Sequence, residues 1–76
     1  MASGLIDMSS YGRWAVGVEF NPSGNPKVHD VKVAAAALID MIDAVGKDER
    51  TKALAMTAVE EAAMWAVKSI TKEPRA

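Results

Sequence analysis

The fold is decided by residues 51–70, which have the sequence TKALAMTAVEEAAMWAVKSI. This stretch contains neither glycine nor proline and is rich in alanine, methionine and leucine, which favour a helix. Its apolar residues fall on two helical faces, one with Leu54, Ala58, Ala62 and Trp65, the other with Met56, Val59, Ala63, Val67 and Ile70. One apolar face would dock a single neighbouring helix, so two faces predict that this helix is covered on both sides.

A second long helix is predicted over residues 27–45. Asn25 suits its N-cap and Pro26 its first helical position. Gly46 is predicted to end this helix in a left-handed turn, and Asp48 or Thr51 to cap the next helix. The short link makes the two helices antiparallel neighbours. An apolar seam at spacings of three and four suits such packing and comprises Val28, Val31, Ala35, Leu38, Ile42 and Val45.

Residues 1–26 form a predicted N-terminal arm. Leu5, Ile6 and Met8 suit one docking turn of helix, and alternation from Trp14 to Phe20 indicates that residues 11–20 form an extended segment. The sequence therefore predicts an all-α antiparallel helical hairpin, preceded by an extended or short-helical arm, in a single domain of residues 1–76. Residues 71–76 are predicted to form a flexible tail.

The size and composition of the chain favour assembly. A chain of 76 residues buries only about 60% of its unfolded surface and is marginal as a monomer. It has no cysteine and a single histidine, while half of its residues are hydrophobic. Without disulfides or a metal site, oligomerisation is the remaining means of stabilising so small a scaffold. We therefore expect a homo-oligomer.

Charge and hydropathy exclude several classes of function. The net charge of −1 and a pI of about 5.7 argue against duplex nucleic acid as a ligand. No stretch approaches the roughly 20 apolar residues of a membrane span. The first residues lack the features of a signal peptide, so we expect a cytoplasmic protein.

Candidate catalytic and metal-ligating residues are few. His29 suits a surface position, and Glu60 and Glu61 point about 100° apart on a helix. Asp40 and Asp43 are one turn apart, but two carboxylates alone make a weak metal site, and a solvated face explains them better. We expect no enzymatic activity, no metal and no cofactor.

An anion site is the more informative hypothesis. The first-turn amides of the helix that starts at Pro26 could hold a phosphate. Lys32, about two turns into this helix, either snorkels to solvent or pairs with an anion. Phe20, Trp14 and Tyr11 precede the helix and serve either packing or base stacking. Together, an aromatic ring, a cation and a helix start suit a phosphate-linked base.

Six motifs along the chain form a specific combination. They are Phe20-Asn21-Pro22-Ser23-Gly24, Val28-x-x-Val31-Lys32, Ala37-Leu38-Ile39-Asp40, Arg50, Leu54-Ala55-x-Thr57-x-x-Glu60 and Ala62-x-Met64-Trp65-Ala66-Val67-Lys68. Together they resemble one family, that of small phage anti-CBASS proteins that sequester cyclic oligonucleotides. The resemblance covers about residues 20–71, and the run from Ala62 to Lys68 is the most specific part.

The resemblance implies a homohexamer that acts as a sponge in the host bacterial cytoplasm, binding cyclic dinucleotides and in some members cyclic trinucleotides without cleaving them. It implies that Lys32 contacts phosphate and that an aromatic residue stacks on a base, with Phe20 the first choice and Tyr11 the second. Many members carry a Tyr-Arg-x-Leu-Ser-like stretch where this chain has Phe20-Asn21-Pro22-Ser23. Asn21, Pro22 and Val28 complete the implied ligand site, and Arg50 and Thr57 are assigned to a second site for trinucleotides.

Two other hypotheses stand beside the sponge. The first is a structural or protein-interaction hairpin of a phage that has no nucleotide ligand and uses its second apolar face for a protein partner. The second, ranked last, is a nuclease of cyclic nucleotides. Ligand recovered intact after denaturation would distinguish a sponge from a nuclease.

Overall fold

The computed structural model of the protein describes residues 10–75, and within that range it contains three helices and no strand. Helix α1 spans Tyr11–Val16, α2 spans Pro26–Val45 and α3 spans Glu49–Thr71. Helices α2 and α3 pair as a hairpin, and α1 packs mainly against α2. The predicted all-α hairpin is therefore confirmed. The docking turn predicted around Leu5, Ile6 and Met8 lies outside the described residues.

Helix α1 replaces most of the extended segment that alternation predicts. That prediction is wrong for residues 11–16, and the short-helical form of the arm is the one observed. The side chain of Ser10 caps the helix by accepting a hydrogen bond from the N–H of Arg13 at 3.1 Å. Gly17 ends it in the left-handed conformation at φ 71°. Caps at both ends therefore outweigh a short alternating pattern.

Helix α2 begins where the sequence predicts. Asn25 is the N-cap, and its Oδ1 accepts the N–H of Lys27 at 2.8 Å, with Pro26 in the first turn. The buried face, however, differs from the predicted seam. Two seam residues, Leu38 and Val45, are 46% and 67% exposed. Helix α2 packs against both α1 and α3, and its buried residues are Val28, Lys32, Ala36 and Ile39.

Helix α3 is capped by Asp48, one of the two residues predicted for that role. Its carboxylate accepts the N–H of Thr51 at 2.9 Å and the hydroxyl of the same residue at 2.7 Å. The left-handed end predicted for Gly46 is wrong, because its φ is −68° and its backbone is extended. Glycine is favoured at this position by the lack of room for a side chain rather than by φ, because an added Cβ would lie 2.9 Å from the side chain of Lys52.

The cap at Asp48 gives a pH-dependent prediction. The backbone hydrogen bond from Thr51, and then the hydroxyl bond, lower the pKa of Asp48 below its ordinary value of 3.8. Because the folded pKa is the lower one, this stabilisation is present above pH 3.8 and is lost as the pH falls through the lowered pKa. We expect Asp48→Ala to lower the melting temperature at pH 7, measured by circular dichroism. The gap should close under acid, and a gap that does not depend on pH would contradict this role.

The described chain is flat, with principal extents of 46 × 29 × 13 Å. No helix in residues 10–75 has the length and hydrophobicity needed to cross a bilayer. The exposed large hydrophobic residues are Tyr11, Trp14, Phe20, Leu38, Met41, Val45, Leu54, Met64 and Trp65.

Candidate functional site

Lys32 lies at the junction of α1, α2 and the turn between them. Only 9% of the residue is exposed, and its Nζ donates to the backbone oxygen of Gly17 at 3.1 Å and to that of Phe20. The same Nζ lies 5.5 Å from the centroid of the Phe20 ring. The ammonium group therefore closes the turn after α1 and does not snorkel into solvent. It has three N–H donors, of which these carbonyls use two.

The aromatic candidate beside this lysine is accessible. Phe20 is 71% exposed, and the loop that follows it is ordered by its own hydrogen bonds. The amide Nδ2 of Asn21 donates to the oxygen of Asn25 at 3.0 Å, and the hydroxyl of Ser23 donates to Asn21 Oδ1 at 2.8 Å. Pro22 lies exposed between them. The loop thus presents Phe20 and Pro22, whereas the side chain of Asn21 is engaged within it.

Val28 supports this loop from the core. It is 2% exposed, and its N–H donates to the oxygen of Asn25 at 3.1 Å. Val18 and Ile39 are the other large side chains buried to this extent. Val28 therefore contributes packing beneath the site rather than an exposed surface.

Tyr11 lies at the other end of α1. It is 48% exposed, and its ring packs against that of Trp14 with centroids 5.7 Å apart at 44°. The adjacent Gly12 donates its N–H to Asp40 Oδ1 at 2.7 Å. Asp40 follows Lys32 by eight residues on α2. Eight residues correspond to about 12 Å of helix. Within one chain, the predicted lysine therefore meets Phe20 and not Tyr11.

A cavity of about 460 Å³ opens between the end of α1, α2 and α3. This volume is in the range of small-molecule sites. Its polar lining includes Lys32 and Thr57, so the structure brings together one residue from each predicted site. Glu60 and Glu61 also line it, and their carboxylates oppose an anion there. The apolar lining comprises Ala15, Val16, Ala63, Met64 and Val67.

Arg50 lies outside this cavity lining. It is exposed in the first turn of α3, seven residues before Thr57. Seven residues are two helical turns, so Arg50 and Thr57 share one face of α3. Farther along, Lys68 Nζ lies 5.2 Å from the centroid of the Trp65 ring.

A family model described as the Acb2/Tad1 hairpin domain matches residues 15–71, well over half of the chain. The chain belongs to the Acb2/Tad1 hairpin family. This is the anti-CBASS sponge family that the sequence motifs resemble, so the resemblance is confirmed. No curated protein and no solved structure gives a match. Lys32, Phe20, Arg50 and Thr57 lie inside the Acb2/Tad1 hairpin match, whereas Tyr11 precedes it.

The sequence analysis did not identify the two residues that bond α1 to α2, Gly12 and Asp40. Gly12 precedes the Acb2/Tad1 hairpin match, and a Cβ placed on it would lie 2.1 Å from the oxygen of Ala36. A glycine inside a short helix was the available signal, because it marks close approach of two backbones. Asp40 is not part of a solvated face, since it is half-buried and bonded to Gly12. No local pattern indicates a contact across 28 residues.

Proposed function

We propose that this protein binds cyclic dinucleotide second messengers in the host bacterial cytoplasm and sequesters them without cleavage. Activation of the CBASS effector is thereby blocked. The observation that carries this proposal is the Lys32 ammonium, 5.5 Å from the exposed ring of Phe20, in a chain of the anti-CBASS sponge family. A cation beside an accessible aromatic face suits a phosphate joined to a base.

The turn supplies each interaction that such a ligand needs. Phe20 offers a ring for stacking, worth about 1–3 kcal/mol per base. The third donor of Lys32 provides a charge-assisted contact to phosphate, while the other two stay on the carbonyls of Gly17 and Phe20. Pro22 is exposed two residues after Phe20, and the bonded side chain of Asn21 keeps the loop ordered. An ordered loop lowers the entropy cost of binding and favours slow release.

Assembly as a homo-oligomer, expected to be a hexamer, would complete the site. A cyclic dinucleotide has two phosphates, two bases and near two-fold symmetry. A two-fold interface presents the same patch twice, so each subunit would supply one Lys32 and one Phe20. The flat shape of the described chain and its exposed large hydrophobic residues support such assembly. Partner copies are also the means by which Tyr11 could reach the ligand.

A second site for cyclic trinucleotides is proposed at Arg50 and Thr57. These two exposed residues share a face of α3, and Arg50 supplies the charge for a phosphate. Thr57 also lines the cavity that contains Lys32. The carboxylates of Glu60 and Glu61 in that lining favour placing phosphates toward Arg50 rather than inside the cavity.

Native mass spectrometry with a panel of cyclic di- and trinucleotides tests this function. We expect a hexamer that takes up at least one cyclic dinucleotide, with one ligand for each pair of subunits. Chromatography of the ligand released by denaturation should return it intact, which separates a sponge from a nuclease. A linear dinucleotide of the same bases is the matched control. A well-folded single chain with no ligand uptake would overturn the proposal.

The alternative function is a structural or protein-interaction hairpin of a phage that has no nucleotide ligand. It is favoured by the apolar residues Leu38, Met41 and Val45 on the outer part of α2, which are 46%, 61% and 67% exposed. These residues are separate from Lys32 and Phe20. The same experiment decides between the two, because this alternative requires uptake of none of the cyclic nucleotides in the panel.

A further inference from the structure

Helix α2 places opposite charges at the two ends of α1. Asp40 Oδ1 accepts the N–H of Gly12 at 2.7 Å in the first turn of α1. Lys32 Nζ donates to the oxygen of Gly17 at 3.1 Å at the other end. The two α2 residues are about 12 Å apart along their helix, and six residues of α1 span about 9 Å. The two charges are therefore spaced about 3 Å farther apart than the length of α1, so they lie at its two ends.

These charges have the signs that a helix favours. The N-terminal amides of a helix carry partial positive charge and attract a carboxylate, and the C-terminal carbonyls attract an ammonium group. Helices shorter than about 12 residues are marginal on their own in water. With six residues, α1 depends on such outside contacts. Asp40 provides such a contact at the N-terminal end of α1, where Tyr11 lies.

Helix α1 carries an exposed pair of aromatic rings. Tyr11 directly precedes Gly12, and Trp14 follows one turn later, with 48% and 75% exposure. Their centroids are 5.7 Å apart. Because both rings project from the same short helix, their placement is fixed only while α1 stays folded against α2. A fixed ring binds a base more tightly than one that must be ordered on binding.

We propose that Asp40 is a positioning residue of the ligand site. It acts through the N–H of Gly12 to hold α1 against α2, so that the Tyr11–Trp14 pair is presented to a base of the ligand bound at the Lys32 and Phe20 of another copy of the chain. This inference rests on the proposed function, in which the ligand is a cyclic dinucleotide. It assigns Trp14 to the stacking surface and gives Asp40 a role that involves no contact with the ligand.

Three single variants of the full chain test this role. Asp40→Ala removes the acceptor, Asp40→Asn keeps an oxygen at the same place, and Asp30→Ala is the control, an exposed aspartate on the same helix. Calorimetry with cyclic di-AMP and cyclic di-GMP gives affinity, and amide hydrogen exchange of Gly12 reports the contact without ligand. We expect Asp40→Ala to weaken binding at least about tenfold and to accelerate Gly12 exchange by a similar factor. Asp40→Asn should stay within about threefold of the wild type because its amide oxygen accepts the same bond.

Each outcome decides one of the two claims. Wild-type affinity in a folded Asp40→Ala oligomer would overturn the positioning role, as would failure of Asp40→Asn to restore binding. If Asp40→Ala does not fold, Asp40→Asn and Asp40→Glu carry the test, and Glu should bind less well because its extra methylene displaces the oxygen. Faster Gly12 exchange in Asp40→Ala, combined with a wild-type protein that binds no cyclic dinucleotide, would support the role of Asp40 in holding α1 and refute the proposed function.

Discussion

Replacing Gly12 with alanine is expected to detach α1 from the hairpin. The new Cβ would lie 2.1 Å from the oxygen of Ala36 and 2.7 Å from Asp40 Oδ1. The first of these atoms belongs to the backbone of α2 and cannot move aside, so α1 itself must shift. The bond between Gly12 N–H and Asp40 would then break. We expect a loss of about 3 kcal/mol in the free energy of unfolding, at the upper end for overpacked sites.

Urea denaturation at fixed protein concentration measures this loss, because oligomer stability depends on concentration. Gly17→Ala is the matched comparison. A Cβ on Gly17 meets no atom within 4 Å, but the residue has φ 71°. Its cost should therefore be only the left-handed penalty of about 1 kcal/mol. Equal losses in the two variants would contradict the close contact between α1 and α2. A larger loss in Gly12→Ala, together with faster exchange of the α1 amides, would support it.

The parts of the fold that depend on neighbouring residues could be predicted from the sequence. Asn25 and Asp48 cap helices through bonds that reach two or three residues along the chain, so residue type and position suffice to predict them. The extended segment was predicted wrongly for the opposite reason. Residues 11–16 are capped by Ser10 and Gly17 and also dock a glycine backbone against α2, and that docking is a contact that no local alternation contains.

The buried face of α2 shows the same limit. Spacing alone favours the seam through Leu38, yet Lys32 and Ile39 are buried while Leu38 is 46% exposed. A lysine is rarely buried without partners, and sequence analysis cannot supply the carbonyls of Gly17 and Phe20 that partner this one. Sequence analysis made this lysine a candidate for the ligand site, but it did not predict the bonds to the carbonyls of Gly17 and Phe20. Its position in the core changes what a mutation there should do.

Replacing Lys32 with methionine is expected to abolish cyclic dinucleotide binding and also to weaken the fold. Methionine keeps an unbranched apolar stem in the core but removes the cation and all three donors. The backbone oxygen of Phe20 loses its ammonium partner, and because this bond is part-buried the cost should be near the lower end of the range of about 1–3 kcal/mol for a buried group. The ligand loses a charge-assisted contact, and the Phe20 ring loses the group that holds its turn. We expect the dissociation constant to rise about a hundredfold or more, which is about 2.8 kcal/mol.

The loss of binding is measured by calorimetry with cyclic dinucleotides, and the loss of stability is measured separately by urea denaturation. Lys27→Met is the matched control, because Lys27 is an exposed lysine in the first turn of the same helix, and it should leave both quantities near wild type. Lys32→Arg retains the charge and several donors in a larger group, so it should recover part of the binding. A role limited to the phosphate contact predicts lost binding with unchanged stability. A role limited to the turn predicts that methionine and arginine differ in stability while binding follows the folded fraction. Wild-type affinity in a folded Lys32→Met oligomer would exclude Lys32 from the site, because neither the charge nor the turn it closes would then be needed.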